Sequence, residues 1–201
     1  MAEYPSPAQI IRLIEERGRD GRQLLFDLDV PDKIVRLCSA MELAHSAHVR
    51  RVLCNLLASL ADPTALPCLL ARLSDPDPEV CAAAADGVGN SAYGHDIPEG
   101  LRTDLGKKLS DLATNRANPV PVRTGSLYAL GLMRYRPGLP LLIKSLNSDV
   151  PAERWASAEA LSHVGDPEVI IALRARRQQE DDERVNRYID IALAALTNAD
   201  S

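Results

Sequence analysis

Aromatic side chains are scarce in this 201-residue chain, which holds one Trp, one Phe and five Tyr. Hydrophobic residues still make up 46%, so a core must be built from Leu, Ala, Val and Ile, small aliphatics that suit closely stacked helices. Cationic excess is also missing. With a formal net charge of −5, no global positive field draws the protein to phosphate backbones or anionic lipid, and neither nucleic acid nor a membrane is expected as partner. Apolar runs are only a few residues long, and Met1-Ala2-Glu3-Tyr4-Pro5 does not have the charged-then-apolar order of a secretory leader. A cytoplasmic protein is expected. Cys38, Cys54, Cys68 and Cys81 form no C-x-x-C pair and precede no His cluster at zinc-ligand spacing, so all four are expected as small core residues in a reducing compartment. There is no Gly-rich phosphate loop, no G-x-S-x-G, no H-E-x-x-H and no local Cys-His signature. The expectation is a protein without cofactor, metal or catalytic residues.

What the chain does have is a recurring phrase. Segments beginning at Val49-Arg50, Val80, Val122-Arg123, Glu153-Arg154 and Val185 superpose without internal gaps, with late apolar anchors at Leu57, Val88, Leu130, Leu161 and Leu193. The anchors recur at intervals in the low thirties, with one longer step from Val88 to Leu130, and such a period with helical content signifies stacked helix pairs. Strand-like alternation bounded by hairpin signals is not found. Ser6-Pro7 is an N-cap followed by proline at the first helical position, and apolar spacing predicts helices over 7–17, 21–28 and 34–44 as an irregular N-terminal cap. Val30-Pro31-Asp32 separates the last two.

Further helices are expected over 48–60, 65–73, 79–89, 101–112, 121–133, 138–146, 152–164, 168–177 and 184–196. Asp62-Pro63, Asp75-Pro76-Asp77-Pro78 and Asp166-Pro167 are corners, since proline is preset for a first helical turn and aspartate caps its exposed amides. Residues 90–100 interrupt the period and are expected as a mobile surface loop. One repeat domain over 1–201 results, with a cap over 1–45, repeats over 46–77, 78–119, 120–149 and 150–182, and a closing helix over 183–201. Gly87, Gly89, Gly125 and Gly131 belong to the phrase, where they allow close helix contact.

Val122-Arg123 with Tyr128-Ala129-Leu130-Gly131, Ala158-Glu159-Ala160-Leu161 with Val164-Gly165-Asp166-Pro167, and the Leu66-Pro67 and Leu139-Pro140 helix openings resemble the HEAT-like repeats of phycobilin lyases and armadillo-like bacterial scaffolds. The resemblance covers about residues 46 to 200. It implies an all-α fold, a HEAT-like α-solenoid of about five helix pairs. It also implies that the helix after each acidic corner lines a concave face. The phrase's non-core positions then form the candidate binding surface: His48, Arg51, Asn55 and Ser59; Glu79, Ala82, Ala83, Asp86 and Asn90; Thr124, Tyr128 and Leu132; Trp155, Glu159 and His163; Arg184, Arg187, Tyr188 and Ile191. Trp155, Tyr128 and Tyr188 are the expected anchors, because large amphipathic rings dominate interface energetics.

Other groupings take plainer readings. His45 and His48 lack a third ligand and are expected as exposed turn residues. Glu79, Asp86 and Glu159 recur in repeat frames, which favours the acidic side of a docking groove over acid–base catalysis. Arg174, Arg176 and Arg177 before Glu180-Asp181-Asp182-Glu183 read as a solvated helix end. The function expected is a non-catalytic scaffold or adaptor that binds a protein or peptide, as monomer or hetero-complex. By resemblance, the alternatives are a bilin-lyase-like subunit handling a tetrapyrrole and, less favoured by the acidic charge, a relative of the HEAT-repeat DNA glycosylases.

Overall fold

A computed structural model describes residues 4–30 and 32–198. Met1–Glu3, Pro31 and residues 199–201 of the expected closing segment lie outside the described residues. Among the described residues the chain forms eleven α-helices, two short 3-10 turns and no strand: α1 Pro7–Asp27, α2 Lys33–Leu43, α3 Ala47–Leu60, α4 Leu66–Arg72, α5 Pro78–Ala92, α6 Glu99–Thr114, α7 Val120–Leu132, α8 Leu139–Ser145, α9 Pro151–Val164, α10 Pro167–Arg177 and α11 Glu183–Asn198. No helix among them is long and apolar enough to cross a membrane.

The helix starts follow the expected chemistry. Ser6 accepts from the Gln9 amide while its own amide donates to Gln9 Oε1, a reciprocal capping box. Asp62, Asp77 and Asp166 each accept from the amide two residues on, so one aspartate per corner satisfies donors that a new helix leaves open. Within α1 the backbone breaks at Gly18, whose φ of 51° suits a residue without Cβ, which separates the two expected segments.

The chain divides into two compact units, Met1–Asp96 with α1 to α5 and Ile97–Ser201 with α6 to α11. In the first, α3 packs along α5, α4 buttresses α5, and α1 and α2 close against α3. In the second, α9 lies between α7 and α11, while α6, α8 and α10 pack on α7, α9 and α11 respectively. Within each unit the first helix of a pair thus meets its counterpart in the next, α3 on α5 in the first and α7 on α9 and α9 on α11 in the second, as the repeat phrase requires. The α7/α9 contact is close enough that a Cβ on Gly131 would fall 2.3 Å from the Ala160 Cα.

Three expectations need correction. The 90–100 segment is not all loop: α5 continues through Ala92, with Ser91 and Ala92 buried, Ile97 is buried as well, and α6 begins at Glu99, leaving residues 93–96 and Pro98 as the exposed connection. Burial of Ala92 at the end of α5 and of Ile97 just before α6 shortens the loop from both sides. Asp75 is not a helix cap. It is buried and takes two hydrogen bonds from Arg50, at 2.7 and 2.8 Å. The acidic run after α10 is not wholly solvated either, because Glu180 is buried against Arg154 and Arg176.

Candidate functional site

In α9 the buried side is unusually broad. Ala156, Ser157, Ala158, Ala160 and Leu161 are all covered, because α7, α8 and α11 surround the helix and small residues let them approach. A narrow stripe is left with access to solvent, and Trp155, Glu159 and His163 occupy it at four-residue spacing, each half-buried. Thr124 and Tyr128 hold matching half-buried positions on α7, and Arg184 and Tyr188 are four apart on α11.

These side chains touch. The Trp155 and Tyr188 rings stack at 5.1 Å between centroids with 29° between planes. The Arg184 guanidinium lies 4.4 Å over the Trp155 ring and 5.9 Å from that of Tyr188, a paired cation–π arrangement. Tyr128 meets His163 edge-on at 6.4 Å. Burial raises the Glu159 carboxyl above its usual range, opposed by the Arg184 charge. Burial lowers the His163 imidazole, and Arg134 pushes it the same way. The face therefore offers a preformed aromatic platform, one cation held over it and a carboxylate with incomplete hydration.

The first unit carries its candidates on α3 and α5. His48 and Glu79 are exposed, Arg51, Asn55 and Asn90 are half-buried, and Arg51 reaches Glu79 at 3.4 Å. Asp86 is exposed at its surface, yet desolvation by the surrounding protein pushes its carboxyl up to about 6. A carboxyl raised in the folded state favours folding fully below its unfolded value of about 3.9, and that contribution is lost as pH rises through about 6. Asp86→Asn is therefore expected to unfold at a higher temperature than the wild type at pH 8, with the gap closing towards pH 4. Solvent screening keeps the effect modest. A lower melting temperature for the variant at pH 8 would mean that the carboxylate is held by a stabilising partner.

Not every expected position joins the surface. Ala83 and Leu132, taken as non-core, are buried, since α5 and α7 are packed on more than one side. Arg187 lines a separate shallow hollow with Arg177, Glu183 and Asp190. Ser59 and Ile191 are exposed, Ala82 is half-buried, and both His45 and His48 are exposed. No group of three metal-ligating side chains occurs among the described residues.

Sequence reasoning passed over a set of internal ion pairs. Arg50 pairs with Asp75, Arg123 with Glu153 and Arg154 with Glu180, each linking the arginine near the start of one phrase to an acid near the following corner or helix. Arg123 also donates to the Asn118 carbonyl, and Arg154 to that of Ser148. The signal was present as V-R and E-R dipeptides with an acid some 25 to 30 positions on.

A family model described as HEAT repeats matches residues 34–101 and 106–194, well over half of the chain. The chain belongs to the HEAT-repeat family. Its fold is an all-α, HEAT-like solenoid fold, and solved structures agree. One chain of the CpcE–CpcF complex of phycocyanin lyase from Nostoc sp. PCC7120 is similar over 97% of this HEAT-repeat chain and 78% of its own, at TM-score 0.64 and 20% identity. A designed armadillo repeat protein in complex with the peptide (KR)4 is similar over 96% and 100%, at TM-score 0.60 and 16% identity. A computationally designed armadillo repeat protein for modular peptide recognition is similar over 95% and 99%, at TM-score 0.58 and 16% identity. Likeness at these identities concerns the fold alone. Comparison with curated proteins gave no match.

Proposed function

We propose that this HEAT-repeat chain is a non-catalytic scaffold that binds a protein or peptide on the face formed by α7, α9 and α11. In this proposal the α3/α5 face of the first unit carries polar contacts of its own, His48, Arg51, Asn55, Glu79, Asp86 and Asn90. The carrying observation is the Trp155–Tyr188 stack under Arg184, bordered by Glu159. The chain holds a single Trp and five Tyr, and two of these rings are half-exposed together on one repeat face instead of filling the core. Stacked rings of fixed orientation lose little entropy on binding and present a large apolar area beside charge, the usual make-up of an interface anchor. HEAT and armadillo folds commonly serve as protein-binding scaffolds, and the armadillo neighbour was solved with a peptide. The phycocyanin lyase likeness supports the fold, and no side-chain feature here favours a tetrapyrrole.

The test selects ligands from a random peptide library on the full-length protein and measures their affinity by fluorescence anisotropy. Trp155→Ala is expected to weaken selected peptides by roughly 30-fold, about 2 kcal/mol, with a much smaller change in thermal stability. Peptides that bind the variant as tightly as the wild type, or a variant that loses mainly stability, would overturn the assignment of this face.

A further inference from the structure

Two of the four cysteines depart from the core role expected of them. Cys54 is fully covered, and burial pushes its thiol up to about 12. Cys81 is buried too, its thiol donating to the Asp75 carbonyl at 3.0 Å. Cys38 on α2 and Cys68 on α4 are only half-buried. Their side chains are hydrogen-bonded to each other. Both line one surface pocket of about 360 Å³, together with Ser39, Glu42, Thr64 and Arg72. Two half-buried thiols at the wall of one pocket that admits small molecules, close enough for each to shift the other's ionisation, satisfy both requirements of a reversible dithiol, access for an oxidant and a resolving partner within reach.

We propose that Cys38 and Cys68 are a modification site, a dithiol that hydroperoxides oxidise to an intramolecular disulfide. The Cys38 thiolate attacks one peroxide oxygen. An S–O bond forms, the O–O bond breaks, and hydroxide leaves and is protonated to water. Sulfur loses two electrons and the peroxide gains them. Cys68 then attacks the Cys38 sulfenic acid: the S–S bond forms, the S–O bond breaks, and the departing hydroxide takes up the Cys68 proton as a second water. Two thiols and one hydrogen peroxide thus give one disulfide and two waters. The order follows from the hydrogen bond between the two. Donation from Cys68 lowers the Cys38 thiol below its ordinary range, against burial and the Glu42 charge, while the same bond raises Cys68 and keeps it protonated until it resolves.

The experiment treats the reduced full-length protein with a modest excess of hydrogen peroxide, then counts thiols in denaturant and maps cross-links by peptide mass spectrometry. The expected result is a fall from four free thiols to two, a Cys38–Cys68 cross-linked peptide, and full recovery with dithiothreitol. Cys68→Ser is expected to accumulate a Cys38 sulfenic acid that dimedone traps. Cys38→Ser is expected to slow the loss of thiols at least about tenfold. Retention of all four thiols, a cross-link through Cys54 or Cys81, or loss of the Cys38 thiol without any bridge to Cys68 would each overturn the proposal. Equal rates of thiol loss in Cys38→Ser and the wild type would overturn the assigned order of attack.

Discussion

Glu180→Ala is expected to destabilise the protein by about 3–5 kcal/mol. Glu180 accepts from Arg154 at 2.7 and 2.8 Å and from Arg176 at 2.8 Å. The Arg154 residue is only 9% exposed. Removing the carboxylate leaves that guanidinium covered and uncompensated, which costs far more than a solvated pair is worth. For a chain of this length the loss corresponds to a fall of roughly 10 °C in melting temperature.

The pH dependence has a definite sign. Burial by itself raises the Glu180 carboxyl, but hydrogen bonds from Arg154, the Asp182 amide and Arg176 outweigh it and hold the group down at about 2. A carboxyl depressed in the folded state stabilises fully above its unfolded value of about 4.3, and that contribution disappears as pH falls through about 2. The wild-type advantage over Glu180→Gln should therefore be constant from pH 5 to 7 and shrink between about pH 4 and 2. Asp190→Ala serves as control, because the Arg177–Asp190 pair is exposed on both sides, and such pairs contribute about 0–1 kcal/mol. Equal small losses for Glu180→Ala and Asp190→Ala would show that the Arg154 pair is hydrated in solution.

Gly131→Ala is also expected to be costly, at about 3 kcal/mol or more. A Cβ at this position would lie 2.3 Å from the Ala160 Cα, 2.5 Å from its carbonyl oxygen and 2.6 Å from its Cβ. Backbone cannot rotate away as a side-chain tip can, so α7 and α9 must separate along the contact that joins two repeats. Adding Ala160→Gly removes only the Cβ clash, and partial rescue is expected. Gly100→Ala is the matched control. It lies in α6 with open space around the position, so helix propensity should make it neutral or slightly stabilising. Equilibrium unfolding in urea measures all three, and a Gly131→Ala variant as stable as the wild type would mean that the α7/α9 spacing is looser than the structure has it.

The repeat logic was legible because it is local. Period, proline and capping aspartate act through neighbours in sequence, so Asp62, Asp77 and Asp166 announce their helices without knowledge of anything else. Asp75 shares the same dipeptide as Asp77 and does something different, since its partner Arg50 belongs to another helix. The binding face shows the same division. Alignment of the phrase sets Arg187, not Tyr188, opposite Trp155, yet Tyr188 stacks on the indole and Arg187 turns to the hollow beside Arg177. The rotation of α11 is set by its packing on α9 and α10, which the phrase does not encode.

The all-helical repeat fold and the positions of the corners were legible in the chain alone, because periodicity and capping are properties of a chain with its nearest neighbours, whereas Ala83 and Leu132 left the expected surface stripe on packing. Which charges are buried as pairs, which rings meet and which cysteines share a pocket was settled only by packing. Those outcomes depend on side chains from separate repeats converging within a few ångströms, and the register and rotation that bring them together are set by packing, which no local pattern encodes.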